Sequence, residues 1–417
     1  MPSMRLEVVN TGTELLLGKV VNTHAAFIGR ELFKLGLRVQ RQTTVPDGEA
    51  IREALAEAFP RCDAILVTGG LGPTSDDITR EIVAEMLGRP LRLDEGVLAT
   101  IHGMFRERGL RQNAANDRQA MVPEGAVVLE NPHGTAPGLH LPADGRAGSP
   151  HLFLLPGPPR ELEPMFRNLV QPALAELARE GEAPPAWRNF RLHGVGESGL
   201  ASILEPLLAG FGGLELGYCA RLGEVDLRLV GAVESVEAAS LVVRREFAMQ
   251  IVVESETPIE EVVVGLLAER GETVATAESC TGGLIASTIT DFPGSSAVFH
   301  RGYMTYSNEA KSDILGVPPA LIEAHGAVSD EVALAMASGC LAASGATHAI
   351  AVSGIAGPGG GSEEKPVGTV HVALVSRGGA AFAKRYFFPL DRISFKQRVA
   401  RLSLDLLRRR LRGIPLD

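Results

Sequence analysis

The sequence predicts an α/β protein of three domains, and three observations support this. The chain has 417 residues, about two to four times the size of a usual compact domain. Strand-like segments alternate with helical ones toward both ends, which favours parallel sheets covered by helices on both faces. Adjacent prolines within residues 180–185 mark a linker, because they cannot continue a helix. The predicted domains cover residues 1–170, 171–252 and 253–417.

Each domain has its own order of predicted elements. Strands of the first domain are predicted at residues 6–9, 37–44, 63–68 and 151–155, and its helices at 23–36, 49–59 and 78–87. The middle domain is predicted as strand, helix, two strands, helix, strand, which is a small α+β module. The last domain is predicted to have helices at 259–270 and 284–289 and strands at 273–277, 347–353 and 367–376. We therefore expect a parallel sheet in the first domain and a second α/β sheet in the last.

The charge of the chain disfavours a polyanionic partner. Forty Lys and Arg against 50 Asp and Glu give a formal net charge of -10, which repels DNA and anionic lipid surfaces. An arginine-rich run at residues 406–412 is the exception, and we interpret it as a solvated helix end whose cations complement the helix dipole.

Cysteine spacing and the first residues indicate the compartment. The four cysteines are far apart and form neither a disulfide framework nor a zinc-ligand cluster; they are Cys62, Cys219, Cys280 and Cys340. The N-terminus lacks a charged segment followed by an apolar one, and no run reaches about 18 apolar residues. We expect a cytoplasmic protein that is neither exported nor membrane-spanning.

A hydroxyl-rich turn, residues 276–283, lies where a strand gives way to a helix in the third domain. Backbone N–H groups at a helix N-terminus stabilise a phosphate or a developing oxyanion, so Ser279 is a candidate nucleophile. The alternative is that Ser279 and Thr281 only cap the helix.

The segment at residues 305–311 supplies a candidate base. If Ser307 caps the next helix, Tyr306 and Lys311 occupy the two positions that meet in a hydrophobic staple. Partial burial of the Lys311 amine lowers its pKa toward neutrality, as a general base requires. The alternative is a surface lysine whose amine reaches solvent.

A glycine-rich loop at residues 353–361 follows the strand that ends at Val352. Its glycines allow close approach to a ligand, and it is expected at the same edge of the sheet as the two preceding segments. Three loops that carry Ser, Tyr and Lys without a metal-ligand cluster favour hydrolysis of an acyl group.

A second glycine-rich string, residues 69–77, follows a buried strand of the first domain and precedes a helix. Such a turn predicts an anion-binding site. Thr74 and Asp77 have capping-box spacing, so Asp76 is the freer carboxylate. Adjacent acids beside an anion site suit a divalent ion that bridges a diphosphate.

The strings at residues 277–283, 305–311, 326–329 and 351–359 resemble the signature of the CinA family. The resemblance implies a C-terminal nicotinamide mononucleotide deamidase that needs no cofactor and releases nicotinic acid mononucleotide and ammonia. It implies Ser279 as nucleophile, with Lys311 and Tyr306 in its proton-transfer network. The nucleotide and the oxyanion would be held by Thr281, Gly282, Gly283, Ser353, Gly354 and Gly357.

The first domain resembles the molybdopterin-binding fold, and most closely the N-terminal half of CinA proteins. The supporting strings are residues 11–16, 21–24, 69–77, 131–138 and 155–161. In this family the domain is implied to be an ADP-ribose pyrophosphatase that uses a divalent ion, Mg²⁺, Mn²⁺ or Co²⁺, and forms AMP and ribose 5-phosphate. The metal candidates are Glu14, Asp47, Asp76 and Asp77, with Asp76 also catalytic, and the phosphate contacts are Gly70, Gly72 and Thr74. Leu71 replaces a threonine of the molybdopterin enzymes, which disfavours molybdopterin as the ligand.

The middle module resembles a KH domain, since Gly196–Gly199 matches its GxxG loop. Residues 187–250 contain six Arg and no Lys against eight Asp and Glu, and Glu197 lies inside the loop. RNA is therefore disfavoured, and we interpret the module as a spacer or dimerisation element of a homodimer. Two alternatives to the nucleotide-recycling enzyme stay open: a molybdopterin-binding protein and a competence-associated adaptor for DNA or a recombinase.

Overall fold

The computed structural model describes residues 4–109, 111, 113–145, 149–178 and 185–416. The chain divides into two compact units, residues 1–184 and 185–417. This division falls within the predicted linker at 180–185, of which residues 180–184 lie outside the described residues. The middle module and the C-terminal domain therefore form one compact unit.

The N-terminal unit contains eight described strands and eight described helices. Strands β1 to β8 are Leu6–Thr11, Val39–Val45, Ala64–Thr68, Leu91–Leu93, Met121–Pro123, Val127–Leu129, Gly138–Leu141 and His151–Leu155. Helices α1 to α8 are Thr13–Leu16, Thr23–Lys34, Ala50–Ala58, Thr79–Met86, Glu95–Glu107, Ala114–Asp117, Pro159–Met165 and Gln171–Ala178. Short 3₁₀ segments lie at Phe59–Arg61 and Arg118–Ala120, and a π-helical turn lies at Phe166–Val170.

The main sheet of this unit has the order β2-β1-β3-β8-β7-β6. Strands β2, β1, β3 and β8 are parallel, as predicted, whereas β7 and β6 continue the sheet antiparallel. Successive β3 residues face opposite layers, because Leu66 packs with Leu6 on one face while Ile65 and Val67 pack on the other. Helix α8 adds the buried Leu174 to the first of these layers, so the unit extends beyond residue 170.

The middle module follows the predicted order of elements. Its strands and helices are β9 (Ala186–His193), α9 (Glu197–Leu208), β10 (Glu215–Arg221), β11 (Glu224–Gly231), α10 (Val233–Glu246) and β12 (Ile251–Val253). The four strands form an antiparallel sheet of order β10-β11-β9-β12. Both helices pack on this sheet through leucine and valine side chains, which gives the module its own apolar layer.

The C-terminal domain has five strands and seven helices. Strands β13 to β17 are Val274–Glu278, Phe299–Met304, His348–Gly354, Thr369–Ser376 and Phe382–Phe387. Helices α11 to α17 are Ile259–Arg270, Leu284–Thr290, Ser295–Val298, Asn308–Leu315, Pro319–His325, Asp330–Ser344 and Arg392–Leu411. The sheet order is β14-β13-β15-β16-β17, and the first three strands are parallel. Among the helices of both described units, none has the length and apolar character needed to cross a membrane.

The arginine-rich end of α17 is only partly solvated: Arg412 is exposed, but Arg408 is buried, contrary to the sequence-based interpretation. Arg408 is 0% exposed and donates from Nε to Oδ1 of the buried Asp405 at 2.8 Å. It also donates to the backbone oxygens of Met249 and Ile251 at 3.1 and 3.0 Å. A buried guanidinium needs such partners, and the middle module supplies two of them.

Asp405 joins this arginine to a buried histidine. Its Oδ2 lies 3.1 Å from Nδ1 of His193, while Nε2 of His193 accepts from Nη1 of Arg398 at 2.8 Å. Because an arginine only donates, His193 is protonated at Nδ1 alone and is neutral. Burial accordingly lowers the pKa of His193 below its ordinary value. We call Asp405, Arg398, Arg408 and His193 the α17 network.

We expect Asp405→Ala to destabilise the C-terminal unit by about 3–5 kcal/mol, because it leaves the guanidinium of Arg408 buried without its counter-charge. Trp187, the only tryptophan of the chain, lies in β9 and reports unfolding of this unit by fluorescence in urea. The exposed Asp313 on α14 provides the control, and Asp313→Ala should change stability by less than about 0.5 kcal/mol. Equal effects of the two variants would contradict the role of the α17 network.

Candidate functional site

The predicted C-terminal site lies where three parallel strands end. The turn after β13 joins its neighbours on both sides: Ser279 N–H donates to Val352 O of β15 at 3.1 Å, and Thr305 N–H donates to Glu278 O at 2.9 Å. Segments 276–283, 305–311 and 353–361 therefore meet at one edge of the sheet, as expected from the sequence.

Lys311 lies at the centre of this edge. It is 1% exposed, and its Nζ lies 3.3 Å from Oγ of Ser279. Three backbone oxygens surround the same nitrogen: Thr305 O at 3.0 Å, and Tyr306 O and Ser307 O at 3.3 Å each. The amine therefore contacts uncharged acceptors and a hydroxyl, which is a suitable setting for exchange of one proton with Ser279.

Local structure fixes the position of Lys311. Ser307 caps α14, as predicted, with its Oγ accepting from Ala310 N–H at 3.1 Å. The other end of α14 presses against α16, where a Cβ on Gly339 would lie 1.9 Å from Leu315 O. Helix α14 is thus held at both ends, and its fourth residue cannot withdraw from Ser279 without repacking.

Burial changes the acid–base properties of two groups in this turn. It lowers the pKa of Lys311 below its ordinary value, against weaker opposing effects of Cys280 and Glu309. It raises the pKa of Cys280 to about 12, so this thiol stays protonated and is a poor nucleophile. Ser279, 8% exposed, is the hydroxyl of the turn that contacts a base.

The helix after the turn is capped by Glu278, which the sequence analysis did not identify. Its carboxylate accepts from Ile285 N–H at 3.1 Å and Ala286 N–H at 2.9 Å, and from the hydroxyl of Thr281 at 2.6 Å. These two amides are therefore not available to an oxyanion, contrary to expectation. The capping alternative for Ser279 and Thr281 is also wrong, since Gly283 is the N-cap residue and Glu278 takes the helical N–H groups.

Tyr306 does not form a staple with Lys311. Its side chain is 63% exposed, and its Oη accepts from Nη2 of Arg392 at 3.1 Å. The same guanidinium donates from Nη1 to Gly357 O at 2.8 Å. Tyr306 therefore contacts the Lys311 amine through its carbonyl oxygen, and its phenol lies beside Arg392.

Two cations of α17 adjoin the turn, and the sequence analysis missed both. Arg392 links the loops that contain Tyr306 and Gly357. Lys396 Nζ lies 3.7 Å from the position that a Cβ on Gly282 would take, and its side chain is half-buried. They are one helical turn apart, which places both on one face of α17. No local signal connects them to Ser279, more than a hundred residues earlier.

The other residues predicted to bind the nucleotide, Ser353 and the glycines, mainly determine the conformation of the loops around the site. Ser353 is 1% exposed and donates its hydroxyl proton to Ala327 O at 2.6 Å. A Cβ on Gly354 would lie 2.8 Å from Thr369 O, and one on Gly357 would lie 2.5 Å from Val367 Cγ1. Gly282 and Gly283 have φ of 62° and 91°, a backbone region that favours glycine.

The N-terminal prediction also maps to one place, a cavity of about 370 Å³ at the carboxyl ends of β1 and β3. Its wall includes six of the seven predicted residues, namely Glu14, Asp47, Gly70, Gly72, Asp76 and Asp77. Thr74 stands beside it and contacts Asp77. We call this space the glycine-loop cavity.

The four acids predicted to bind metal in the glycine-loop cavity differ in their hydrogen bonds and in their exposure. Asp77 accepts from both the N–H and the hydroxyl of Thr74, as its spacing predicts. Asp47 accepts from Thr13 N–H at 2.9 Å and from the Thr13 hydroxyl at 3.0 Å. Asp76 is exposed, and hydrogen bonding to Thr74 holds the pKa of its carboxyl below the ordinary value. Asp76 is therefore ionised at neutral pH and open to a ligand.

The glycines of this loop make room for neighbouring side chains. A Cβ on Gly70, whose φ is +67°, would lie 2.0 Å from Oγ1 of Thr79, and one on Gly72 would lie 2.3 Å from Oδ2 of Asp77. Across the described residues, no three Asp, Glu, His or Cys side chains converge as a ready-made metal site. The acids fit the mode of Mg²⁺ binding in which one or two carboxylates act together with substrate phosphates and water.

Glu161 and Gln119 are cavity residues that the sequence analysis missed. Glu161 is 7% exposed and accepts from Nδ2 of Asn131 at 2.9 Å. Gln119 is 2% exposed and donates to Leu71 O at 3.4 Å. Glu161 lies within a string already noted at residues 155–161, whereas Gln119 lies in a segment without a motif.

Two protein-family models match separate parts of the chain, and each part contains one of the two candidate sites. The model of the CinA C-terminal domain matches residues 256–411, which include Ser279 and Lys311. The model of the probable molybdopterin binding domain matches residues 7–176, which include the glycine-loop cavity. The molybdopterin-binding-type fold predicted for the N-terminal domain is thereby confirmed.

Relatives match over nearly the whole chain. A CinA-like protein of Akkermansia muciniphila is 49% identical over 404 residues, which are 97% of each chain. A competence-damage inducible protein of Symbiobacterium thermophilum is 47% identical over 428 positions, covering 98% of this chain and 99% of that one. The solved structure of competence/damage inducible protein CihA from Agrobacterium tumefaciens is 46% identical, covers 37% of this chain and 96% of its own, and has a TM-score of 0.35. The chain therefore belongs to the CinA family.

Proposed function

We propose that the C-terminal domain hydrolyses the carboxamide of nicotinamide mononucleotide to nicotinic acid mononucleotide and ammonia. The observation that carries the proposal is the 3.3 Å contact between Nζ of Lys311 and Oγ of Ser279. A buried lysine with a lowered pKa beside a serine hydroxyl is a base–nucleophile pair for acyl transfer.

In the first step, Ser279 Oγ attacks the carboxamide carbon while its proton passes to Lys311 Nζ. As a neutral amine, Lys311 donates two N–H bonds to backbone oxygens and keeps a lone pair for the Ser279 proton. Once protonated, it is stabilised by the oxygens of Thr305, Tyr306 and Ser307. The site thus provides acceptors for the charge that forms during the reaction.

In the second step, the amide nitrogen leaves as ammonia and takes its proton from Lys311, while an acyl ester forms on Ser279. A water molecule then attacks the ester and gives one proton to Lys311. Ser279 leaves as the alcohol and recovers that proton from Lys311, and the carboxylic acid product gives its own proton to water and is released as the carboxylate. One lysine therefore serves as base and acid in both halves of the cycle.

The cations of α17 support a nucleotide substrate. Lys396 lies beside Gly282 of the turn that carries Ser279, and Arg392 lies beside the loops of Tyr306 and Gly357, so both can give a 5′-phosphate charge-assisted hydrogen bonds. In the described part of the chain, the hydrogen bonds of Arg392 go to two uncharged oxygens, Gly357 O and Tyr306 Oη. Its charge is therefore available to a phosphate.

We expect Ser279→Ala and Lys311→Met each to lower the deamidation rate by about 10⁴- to 10⁶-fold, with the double variant scarcely slower. The two groups act on one proton, so loss of either disables the pair. Ammonia release from nicotinamide mononucleotide measures the rate. Lys384→Met, which removes an exposed lysine of β17, is the matched control and should keep wild-type activity.

Tyr306→Phe separates the two roles suggested for this residue. The variant keeps the carbonyl oxygen that accepts from Lys311, so its rate should fall by less than about tenfold, or 1.4 kcal/mol. A loss comparable to that of Lys311→Met would place the phenol in the proton-transfer network.

If Ser279→Ala keeps more than a tenth of the wild-type rate, serine is not the nucleophile.

The deamidation rate should rise with pH. Below the pKa of Lys311, the fraction of free amine and hence kcat/KM grows tenfold per pH unit, and above that pKa the profile is flat. Burial lowers the pKa of Lys311, so the rising limb ends below the ordinary lysine value of about 10.4. The measurement is kcat/KM between pH 6 and 10, and a profile that is flat throughout or falls with pH would contradict a lysine base.

We propose that the N-terminal domain splits ADP-ribose into AMP and ribose 5-phosphate with the help of a divalent ion. The supporting observation is that five carboxylates, the four predicted ones and Glu161, line one cavity together with a glycine-rich loop. Asp76 and Glu14 are the exposed members of this set and would hold the ion together with substrate oxygens. When bound, the ion supplies positive charge that polarises the diphosphate.

Residues of the chain fix the orientation of two carboxylates in this site. Thr74 holds Asp77 and Thr13 holds Asp47, so these two carboxylates have fixed positions in the wall of the cavity. Gly70 and Gly72 let the side chains of Thr79 and Asp77 lie directly against the backbone of the loop. Asp76, which is ionised and exposed, is the group that can change its contacts when substrate binds.

We expect a chelator to abolish AMP formation from ADP-ribose while leaving ammonia release unchanged. Asp76→Asn should lower AMP formation at least 100-fold in Mg²⁺, Mn²⁺ or Co²⁺, because it removes the charge of the exposed carboxylate. Glu57→Gln, at an exposed position of α3 away from the cavity, is the control. Sensitivity of ammonia release to the chelator would reverse the assignment of the two activities.

Two other functions make different predictions. A molybdopterin-binding protein would bind a pterin tightly and cleave no diphosphate. An adaptor for DNA would show salt-sensitive DNA binding, which the net charge of -10 disfavours. Assays of ammonia and AMP with the full chain separate the proposed enzyme from both alternatives, and binding titrations with a pterin and with DNA separate the alternatives from each other.

A further inference from the structure

A buried histidine of β16 lies beside the candidate site but takes no part in the proposed deamidation steps. His371 is 6% exposed, and its Nδ1 lies 2.6 Å from Oδ1 of Asp330. A carboxylate only accepts, so Nδ1 carries a proton and Nε2 of the neutral imidazole keeps a lone pair. This Nε2 is buried and has no hydrogen-bond partner among the described residues. It is therefore a free acceptor inside the domain, where polar atoms usually have a partner.

The string at residues 326–329, one of those that resemble the CinA signature, holds this pair in place. Ser329 caps α16 through its Oγ, which also donates to Gly326 O at 3.0 Å. Asp330 is the next residue and the first of α16, where the helix dipole favours a carboxylate. The string therefore sets the position of Asp330 and, through it, the orientation of the His371 ring.

The register of the sheet places His371 in line with Ser279. Glu278 of β13 pairs with Val352 of β15, and Ser353 of β15 pairs with His371 of β16. The pairing of β13 with β15 continues for one more residue, because Ser279 N–H donates to Val352 O. Ser279, Ser353 and His371 therefore form one row across three neighbouring strands, which are about 4.8 Å apart.

The side chains of this row lie on one face of the sheet. Side chains alternate along a strand, so residues two positions apart share a face. The residues two positions from each member of the row pack in one apolar layer; they are Ala277, Ala351 and Ala373. Leu315 of α14 packs in the same layer, so Lys311 reaches Ser279 from this face as well. An acyl group on Ser279 thus has the amine of Lys311 and the rest of the row on the same side of the sheet.

The row presents two acceptors and no donor to a bound molecule. Ser353 gives its hydroxyl proton to Ala327 O at 2.6 Å, so its oxygen can only accept from a further partner. Nε2 of His371 can likewise only accept. A water molecule has two protons to donate, and buried waters typically satisfy polar atoms that a protein leaves unpaired. Water is therefore the molecule that fits beside His371.

We propose that His371, held by Asp330, binds the water molecule that hydrolyses the acyl ester on Ser279. This inference rests on the proposed deamidase and adds the residue that positions the water of its second half. The water donates a hydrogen bond to Nε2, and its other proton passes to Lys311 as its oxygen bonds to the acyl carbon. The bond between that carbon and Oγ of Ser279 then breaks, and Oγ recovers the proton from Lys311. The proton that faced Nε2 stays on the carboxylic acid product, which gives it to water.

The two halves of the reaction release different products, so they can be measured separately. Ammonia leaves when the ester forms, and nicotinic acid mononucleotide leaves when water cleaves the ester. His371→Phe keeps an aromatic ring but removes both nitrogens, whereas His371→Gln keeps an amide oxygen that can accept from water. His300→Phe, at an exposed position of β14, is the matched control.

Rapid-quench assays of ammonia and the intact mass of the full chain measure the effect. We expect His371→Phe to release about one ammonia per site at a rate within about threefold of wild type, and then to turn over about 100-fold more slowly because its water is misplaced. During this slow phase the protein should carry the mass of the acyl group. His371→Gln should show the same burst with a smaller loss of turnover, and His300→Phe should match wild type.

Two results in His371→Phe would overturn the inference: an equal loss of the ammonia burst and of turnover, as a merely structural residue would give, or wild-type turnover without an acyl-enzyme. If His371→Phe does not fold, His371→Gln decides, because a burst followed by slower turnover supports the inference and any other result overturns it.

Failure of the function itself looks different. If the wild-type chain releases no ammonia from nicotinamide mononucleotide, the deamidase proposal fails. If it releases ammonia and neither His371 variant accumulates an acyl-enzyme, the deamidase proposal stands and the inference fails.

Discussion

The burial of one lysine amine among uncharged oxygens is the constraint on which the C-terminal site depends. A charged amine without a counter-ion is costly to bury, so the site favours the free base of Lys311. The three carbonyl oxygens around it come from the chain just before α14, where the cap by Ser307 fixes the backbone. The close packing of Gly339 against Leu315 then prevents α14 from moving the amine toward water. The packing that buries Lys311 therefore determines both the pKa of its amine and the position of that amine beside Ser279.

The two sites use glycine-rich turns in the same way but differ in their chemistry. In both, the turn follows a buried strand, and its glycines let other side chains approach, as Gly70 does for Thr79. The reactive groups differ: a neutral amine and a hydroxyl in one, and ionised carboxylates in the other. Carboxylates attract cations, whereas the amine of Lys311 lies among uncharged backbone oxygens.

Sequence patterns predicted the features that depend on near neighbours. Periodicity located α11, β13 and β15, although not β14, and the expectation that Ser307 caps the following helix was correct. Long-range contacts were not accessible in this way. Glu278 caps a helix seven residues later, beyond capping-box spacing, and Arg392 meets Tyr306 across 86 residues. Arg408 was misread as solvated because nothing local shows that the middle module covers it.

Helix α17 connects the middle module to the candidate site around Ser279 and Lys311. Its first two turns carry Arg392 and Lys396. Asp405, which anchors the α17 network, lies 13 residues after Arg392, or about 20 Å along a rigid helix at 1.5 Å per residue. A tilt of about 3° at that anchor therefore displaces the first turn by about 1 Å. Misplacement of that size can change a turnover rate by about 100-fold. The middle module carries no residue of either proposed catalytic site, but through this anchor its contacts with α17 constrain the position of Arg392 and Lys396.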